Sequence, residues 1–196
     1  MNKLKLLSNP SHHQADVWLV EENGLRMVYK DFRKKGFIGR FIVNREASFY
    51  RRLRGIKGVP EYYGSPSSGS LLIEYIEGES IKKYKNLSSV FFEKLSRLMD
   101  EIHSRGVLYF DLRHMSNLLV LPSAVAGGEE PFLLDYGTSL YSPLLVKALK
   151  FVDDGAELYI KQRVSPELLS APETMRVKKM NRLSGIWFFN KLAGGD

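Results

Sequence analysis

Residues 106–120 read GVLYFDLRHMSNLLV. An apolar lead-in runs into a single acid, Asp111. A polar run follows, and Asn117 then stands directly before Leu118, Leu119 and Val120. A carboxylate in an apolar setting is costly unless it is paired, bound to a metal or put to chemical use. The segments on either side bear on which of these applies.

Upstream, Ser88 to Arg105 reads as a helix. Phe91, Leu95, Leu98, Met99 and Ile102 recur at helical spacing, Ser88 or Ser89 caps the start, and Gly106 stops it. Downstream, 118–121 and 131–134 read as short apolar strands joined by the glycine-rich AVAGGEE. Asp135 follows PFLL and precedes Tyr136-Gly137. Beyond it, 142–153, 154–162 and 172–183 are weakly helical.

The first part of the chain has a different texture. Residues 17–22 and 25–32 are strand-like runs joined by Glu22-Asn23-Gly24, a strong short-range hairpin signal. Residues 44–54 read as a helix with Asn44 as N-cap and Ala47, Tyr50 and Leu53 on one face. Residues 61–64 and 70–76 read as strands separated by the turn-rich SPSSGS. The order is strands with one helix, then mainly helices with a short β-ribbon. It predicts an α+β protein of two lobes, 1–77 and 78–196, joined near Glu77-Gly78.

Composition sets the outer bounds. The 196 residues suffice for two small lobes, and 44% hydrophobic with 26% charged residues is ordinary for a globular chain. There is no cysteine, so disulfides and thiolate metal sites are excluded. Histidines at 12, 13, 103 and 114 alone do not suggest a zinc site. No secretory pattern opens the sequence, and no apolar run approaches the roughly 20 residues of a membrane-spanning helix. The expectation is a cytoplasmic protein with no transmembrane segment. Net charge is +7, concentrated at 30–40, 51–57 and 176–182. Such a surface attracts phosphates, from nucleotides to nucleic acid or anionic lipid, although solvated helix faces explain charge runs as well.

Lys30 ends the strand MVYK, Glu46 follows in NRE, Asp111 and Asn117 lie in YFDLRHMSN, and Asp135 opens LLDYG's last three residues. This ordered set resembles the protein-kinase-like superfamily. There, a strand lysine pairs with a helix glutamate, a catalytic-loop aspartate precedes an asparagine, and an Asp-Phe-Gly follows a hairpin. LLIEYIEG resembles the hinge, and EIHSRGV the helix end that leads into the catalytic loop.

The resemblance implies a two-lobed protein-kinase-like fold with a small β-rich N-lobe and a truncated, mainly helical C-lobe. It implies ATP and Mg2+ as cofactors, with the γ-phosphoryl group passing to a hydroxyl of a protein or a phosphorylated sugar or lipid. Asp111 would orient or deprotonate the acceptor hydroxyl, and Arg113 would meet the transferring phosphate. Lys30 and Glu46 would position nucleotide phosphates, Ile73, Glu74, Tyr75 and Ile76 would line the adenine site, and Asn117 and Asp135 would hold the metal.

Several features depart from the common pattern. Tyr109 stands where the family has histidine, and Asn117 falls one position late. NPSHHQAD, where a glycine-rich loop is expected, has no glycine. The stretch after Gly137 is short for a eukaryotic-type C-terminal lobe, so the chain looks most like minimal kinases: the RIO type and the bacterial kinases of lipopolysaccharide-core sugars. Near the C-terminus, Trp187, Phe188 and Phe189 among lysines and arginines suggest a last helix packed on the lobe, or peripheral contact with an anionic membrane at its inner surface. The rival readings are a pseudokinase that binds nucleotide or a partner, and a basic nucleic-acid-binding protein.

Overall fold

In a computed structural model, residues 1–8, 15–124 and 128–184 are described, with side chains to 179. The glycine-less segment at 9–14, with His12 and His13, and the aromatic cluster at 187–189 lie outside the described residues. The chain divides into two compact units. One comprises Met1–Gly55, Val59–Glu77 and Asp135–Gly137; the other comprises Ile56–Gly58, Gly78–Leu134 and the described residues from Thr138 on.

The first unit is an antiparallel sheet and one helix. Its strands are β1 (Asn2–Ser8), β2 (Asp16–Glu22), β3 (Leu25–Asp31), β4 (Tyr62–Gly64) and β5 (Ser70–Glu74), in the order β1-β2-β3-β5-β4. The β2–β3 hairpin turns at Asn23 and Gly24, both at positive φ, 52° and 78°. That is the backbone a two-residue primed turn requires, and Asn-Gly adopts it at little cost. Val20, Met27, Tyr29 and Leu72 bury one face, with Trp18 packed against them. β1 was not foreseen. Lys3-Leu4-Lys5-Leu6 does alternate, but almost all residues of the strand are exposed and the alternation marks no buried face.

The helix of this unit, α1, spans Gly36–Arg52. It starts well before Asn44, which therefore lies inside the helix and is not its N-cap. Gly36 and Gly39 disguise the first turns as loop. Gly39 is needed for close approach: a Cβ there would lie 2.1 Å from the Phe32 carbonyl oxygen. Val43, Glu46, Ala47, Phe49 and Tyr50 form the buried face.

The second unit is built on α2 (Ser89–Ser104), whose Ser88 cap accepts from the Phe91 amide. Phe91, Phe92, Leu95, Leu98, Met99 and Ile102 are buried along it. Burying each such side chain stabilises by about 1.5–3 kcal/mol relative to exposure. Around it lie β6 (Glu79–Ser80), β7 (Val107–Leu108), β8 (Leu118–Leu121), β9 (Glu130–Leu133) and β10 (Leu140–Tyr141). They pair as β6-β8-β9 and β10-β7. Three helices follow, α3 (Pro143–Leu149), α4 (Phe151–Val164) and α5 (Ala171–Ser184). The break between the first two falls at Lys150, earlier than the sequence pattern suggested. Among the described residues no helix is long and apolar enough to cross a membrane.

Candidate functional site

In the first unit the buried face of α1 carries Glu46 to Lys30 on β3. Lys30 Nζ lies 2.6 Å from Glu46 Oε1, with side chains 12% and 1% exposed. Burial works against the charge on Lys30, but Glu46 and then Asp135 outweigh it, and its pKa is raised. Lys30 is thus a fixed cation in a nearly dry setting. Burial, then the negative charge of Asp135, pushes the Glu46 carboxyl upward, against the pull of Lys30. Tyr136, fully buried, meets Tyr50 edge-on with ring centroids 5.1 Å apart. The Asp-Tyr-Gly segment is so fixed in this unit by its central aromatic ring.

Asp135 has φ +59°, a left-handed conformation unusual for a residue other than glycine. Its Oδ1 accepts from the Gly137 amide at 3.2 Å. Such backbone strain persists only where neighbours enforce it, and it clusters at functional positions.

In the second unit, the loop from the opening stretch closes on itself. Asn117 Nδ2 donates to Asp111 Oδ2 at 2.7 Å. A single 3-10 turn at Met115–Asn117 brings Asn117 back to Asp111. Because a carboxylate only accepts, Asn117 must present its amide nitrogen there. Its carbonyl oxygen is the end left for another donor or a cation. The backbone carbonyl of Asn117 accepts from Leu134, the residue before Asp135. His114 Nδ1 stands 3.7 Å from Asp111 Oδ1.

One residue of this loop's support was missed by sequence reasoning. Asp153, on α4 and 1% exposed, accepts from the Tyr109 amide at 2.9 Å and the Phe110 amide at 2.7 Å, and its Oδ2 also lies 2.9 Å from His103 Nε2. Phe110 has φ +63°, a strained value for a bulky residue. The hydroxyl of Tyr109 donates to the Leu134 carbonyl. Tyr109 is thus a buried, hydrogen-bonded anchor of this loop. Asp153 carries no local signal, because its partners lie more than forty positions away.

The remaining candidates are placed less tightly. The Arg113 guanidinium lies 5.2 Å from the Tyr159 ring. Ile73 and Glu74 belong to β5, where Ile73 is buried and Glu74 exchanges hydrogen bonds with Glu61. Glu74 and Tyr75 line an open cavity of about 470 Å³ with Gly24, Leu25, Arg26, Tyr63 and Glu77. Neither Lys30, Ile73 nor Ile76 lines it.

The donor set fits a hard cation only in one manner. No group of three or more His, Cys, Asp or Glu among the described residues could hold a metal alone. Mg2+ does not need such a cage, since one or two oxygen ligands with phosphates and water suffice. The Asp135 carboxylate, in the first unit, is an oxygen donor of that type, and so, in the second unit, is the side-chain oxygen of Asn117.

No protein-family model matches the sequence, and no curated protein matches it. Solved structures do. Rio2 kinase from Chaetomium thermophilum in an ADP/Mg2+-phosphoaspartate complex matches with TM-score 0.67 and 15% identity, over 86% of this chain and 58% of that one. A second structure of Rio2 kinase from that organism matches with TM-score 0.67 and 14% identity, over 86% and 60%. The chain thus spans less than two thirds of the solved chains it matches. An antiparallel sheet unit with one helix and a mainly helical unit, matched at this level, make this an α+β chain with a protein-kinase-like fold.

Proposed function

We propose that this chain is an ATP- and Mg2+-dependent phosphotransferase. The observation that carries the reading is the buried Lys30–Glu46 pair with Asp135 bearing on both. A desolvated cation held by one carboxylate is a ready partner for polyphosphate oxygens. Glu46 aims the ammonium, and Asp135 with Asn117 would hold the metal. Bound Mg2+ would neutralise charge on the phosphates.

Asp111 is the group for the acceptor. With Asn117 holding Oδ2, Oδ1 faces an incoming hydroxyl and takes its proton. The hydroxyl oxygen forms a bond to the γ-phosphorus as the bond to the β-bridging oxygen breaks, and ADP leaves. Arg113 meets the transferring phosphoryl group. Asp153 is a positioning residue that holds the backbone before Asp111. Ile73, Glu74, Tyr75 and Ile76 are the proposed adenine-side residues, in a nucleotide lobe 1–77 followed by a catalytic lobe 78–196.

The acceptor we favour is a hydroxyl on a protein or on a phosphorylated sugar or lipid, as the resemblance to RIO-type and lipopolysaccharide-core sugar kinases suggests. The phosphoaspartate named for one Rio2 structure makes a carboxylate acceptor the second reading. Incubation with γ-labelled ATP and Mg2+ tests the proposal. Wild type should release labelled phosphate or carry label, and Asp111→Ala should lose this while retaining nucleotide affinity. Hydroxylamine removes label from an acyl phosphate and leaves a phosphate ester, which separates the two acceptors. Equal turnover in Asp111→Ala would refute the assignment.

A further inference from the structure

The outer face of α1 presents a second feature, independent of the nucleotide reading. Phe37, Ile38 and Phe41 are 82%, 65% and 63% exposed. Exposed apolar residues scattered singly need no explanation, but three large ones within two helical turns do. At 100° per residue they fall on one arc, with Arg40 on one flank and Arg45 near the other. Glu46 falls on the opposite side, which is the buried face.

The charge around this arc has one sign. From 33 to 45 there are five basic residues and no acid. Arg33 and Lys34 are answered by Asp31 and Asp16 from the neighbouring strands. Lys35 and Arg40 add further positive charge beside the arc. A short apolar wedge of phenylalanines flanked by cations is the composition of an interfacial helix face on anionic lipid. An acidic protein groove would supply the charge but would have to desolvate the cations. A headgroup layer leaves them wet while the rings enter the acyl boundary.

We propose that this face, led by Phe37 and Phe41, docks the protein on an anionic membrane surface. The arrangement leaves Glu46 and its bond to Lys30 untouched, so lipid binding and nucleotide binding are separable.

The test is co-flotation of the full chain with vesicles of equal parts phosphatidylcholine and phosphatidylglycerol, against phosphatidylcholine alone. Wild type should float with the anionic vesicles only, and less so at high salt. Phe37→Ser/Phe41→Ser should abolish flotation while the thermal midpoint and any Mg-ATP response stay at wild-type values. Arg40→Ser should weaken partitioning about fivefold, since each basic residue near such a surface contributes about 1 kcal/mol. Anionic-vesicle binding undiminished in both variants would overturn the proposal and direct attention to other basic segments. Equal binding to neutral vesicles, or none to either, would overturn it as well.

Discussion

The Phe110 amide donates to Asp153 Oδ1 at 2.7 Å, across forty-three positions of chain, and Phe110 sits at φ +63°. One buried carboxylate on α4 so holds a strained residue immediately before Asp111. It also accepts from Tyr109 and meets His103, so its oxygens are shared among three neighbours. The conformation of the chain leading into Asp111 thus depends on a residue more than forty positions away.

Asp153→Asn should therefore act on position before it acts on binding. An amide nitrogen facing a backbone donor forfeits about 1–3 kcal/mol. For a chain of this size that is about 2–4 °C per kcal/mol in the unfolding midpoint. The turnover rate should fall roughly tenfold or more through misplacement of Asp111, with ATP affinity retained. Hydrogen exchange at the Tyr109 and Phe110 amides should quicken. Unchanged exchange and rate would remove Asp153 from this role.

Lys30→Met should lower the midpoint, because it strands Glu46 in a buried setting; breaking such a pair costs about 3–5 kcal/mol. Lys30→Met/Glu46→Leu should recover most of that loss, since apolar replacement of both partners is often close to neutral. Neither variant should respond to Mg-ATP. Recovery of stability without recovery of nucleotide response is the outcome that separates packing from function.

Glu157 makes one separable contribution to the pH dependence of stability. Burial, with Asp154 next and Asp100 adding, raises the Glu157 carboxyl to about 7, while Ser96 and Lys161 oppose the shift. When unfolded it releases its proton near 4.5. Between these values the native state binds more protons, so this group's contribution to stability falls as pH rises and levels off above about 7. Glu157→Gln should raise the midpoint at pH 8 and leave it nearly unchanged at pH 4. An equal shift at both values would mean that the carboxyl is ordinary.

Arg113 on Tyr159 gives a fourth test. Stacking of this kind is worth about 0.5–1 kcal/mol, so Arg113→Ala and Tyr159→Leu should each cost little stability. A double-mutant cycle should return a coupling of that size. The rate of phosphoryl transfer should fall with Arg113→Ala far more than with Tyr159→Leu. Equal effects on rate would reduce Arg113 to a packing residue.

What could be read from the sequence depended on whether its cause is local. The Asn23-Gly24 hairpin and the Ser88-capped α2 were legible because turn chemistry and helical period act over a few residues. The start of α1 was misread because Gly36 and Gly39 imitate a loop, while Gly39 in fact answers a steric demand from Phe32. The edge strand β1 was missed although Lys3-Leu4-Lys5-Leu6 alternates, and it buries almost none of its residues. Lys30, Glu46, Asp111, Asn117 and Asp135 were singled out in the sequence by order and setting. The hydrogen bond from Asn117 to Asp111 and the anchoring by Asp153 required the fold. Neither follows from spacing alone.

The most direct test is thermal unfolding with and without ATP and Mg2+, for wild type and Asp135→Ala. Ligand bound to the native state alone stabilises by mass action, about 2.7 kcal/mol at a hundredfold excess over Kd. The account predicts a Mg2+-dependent rise of several degrees in wild type that is lost in Asp135→Ala. A wild-type midpoint indifferent to every nucleotide, or a rise that survives in Asp135→Ala, would contradict it.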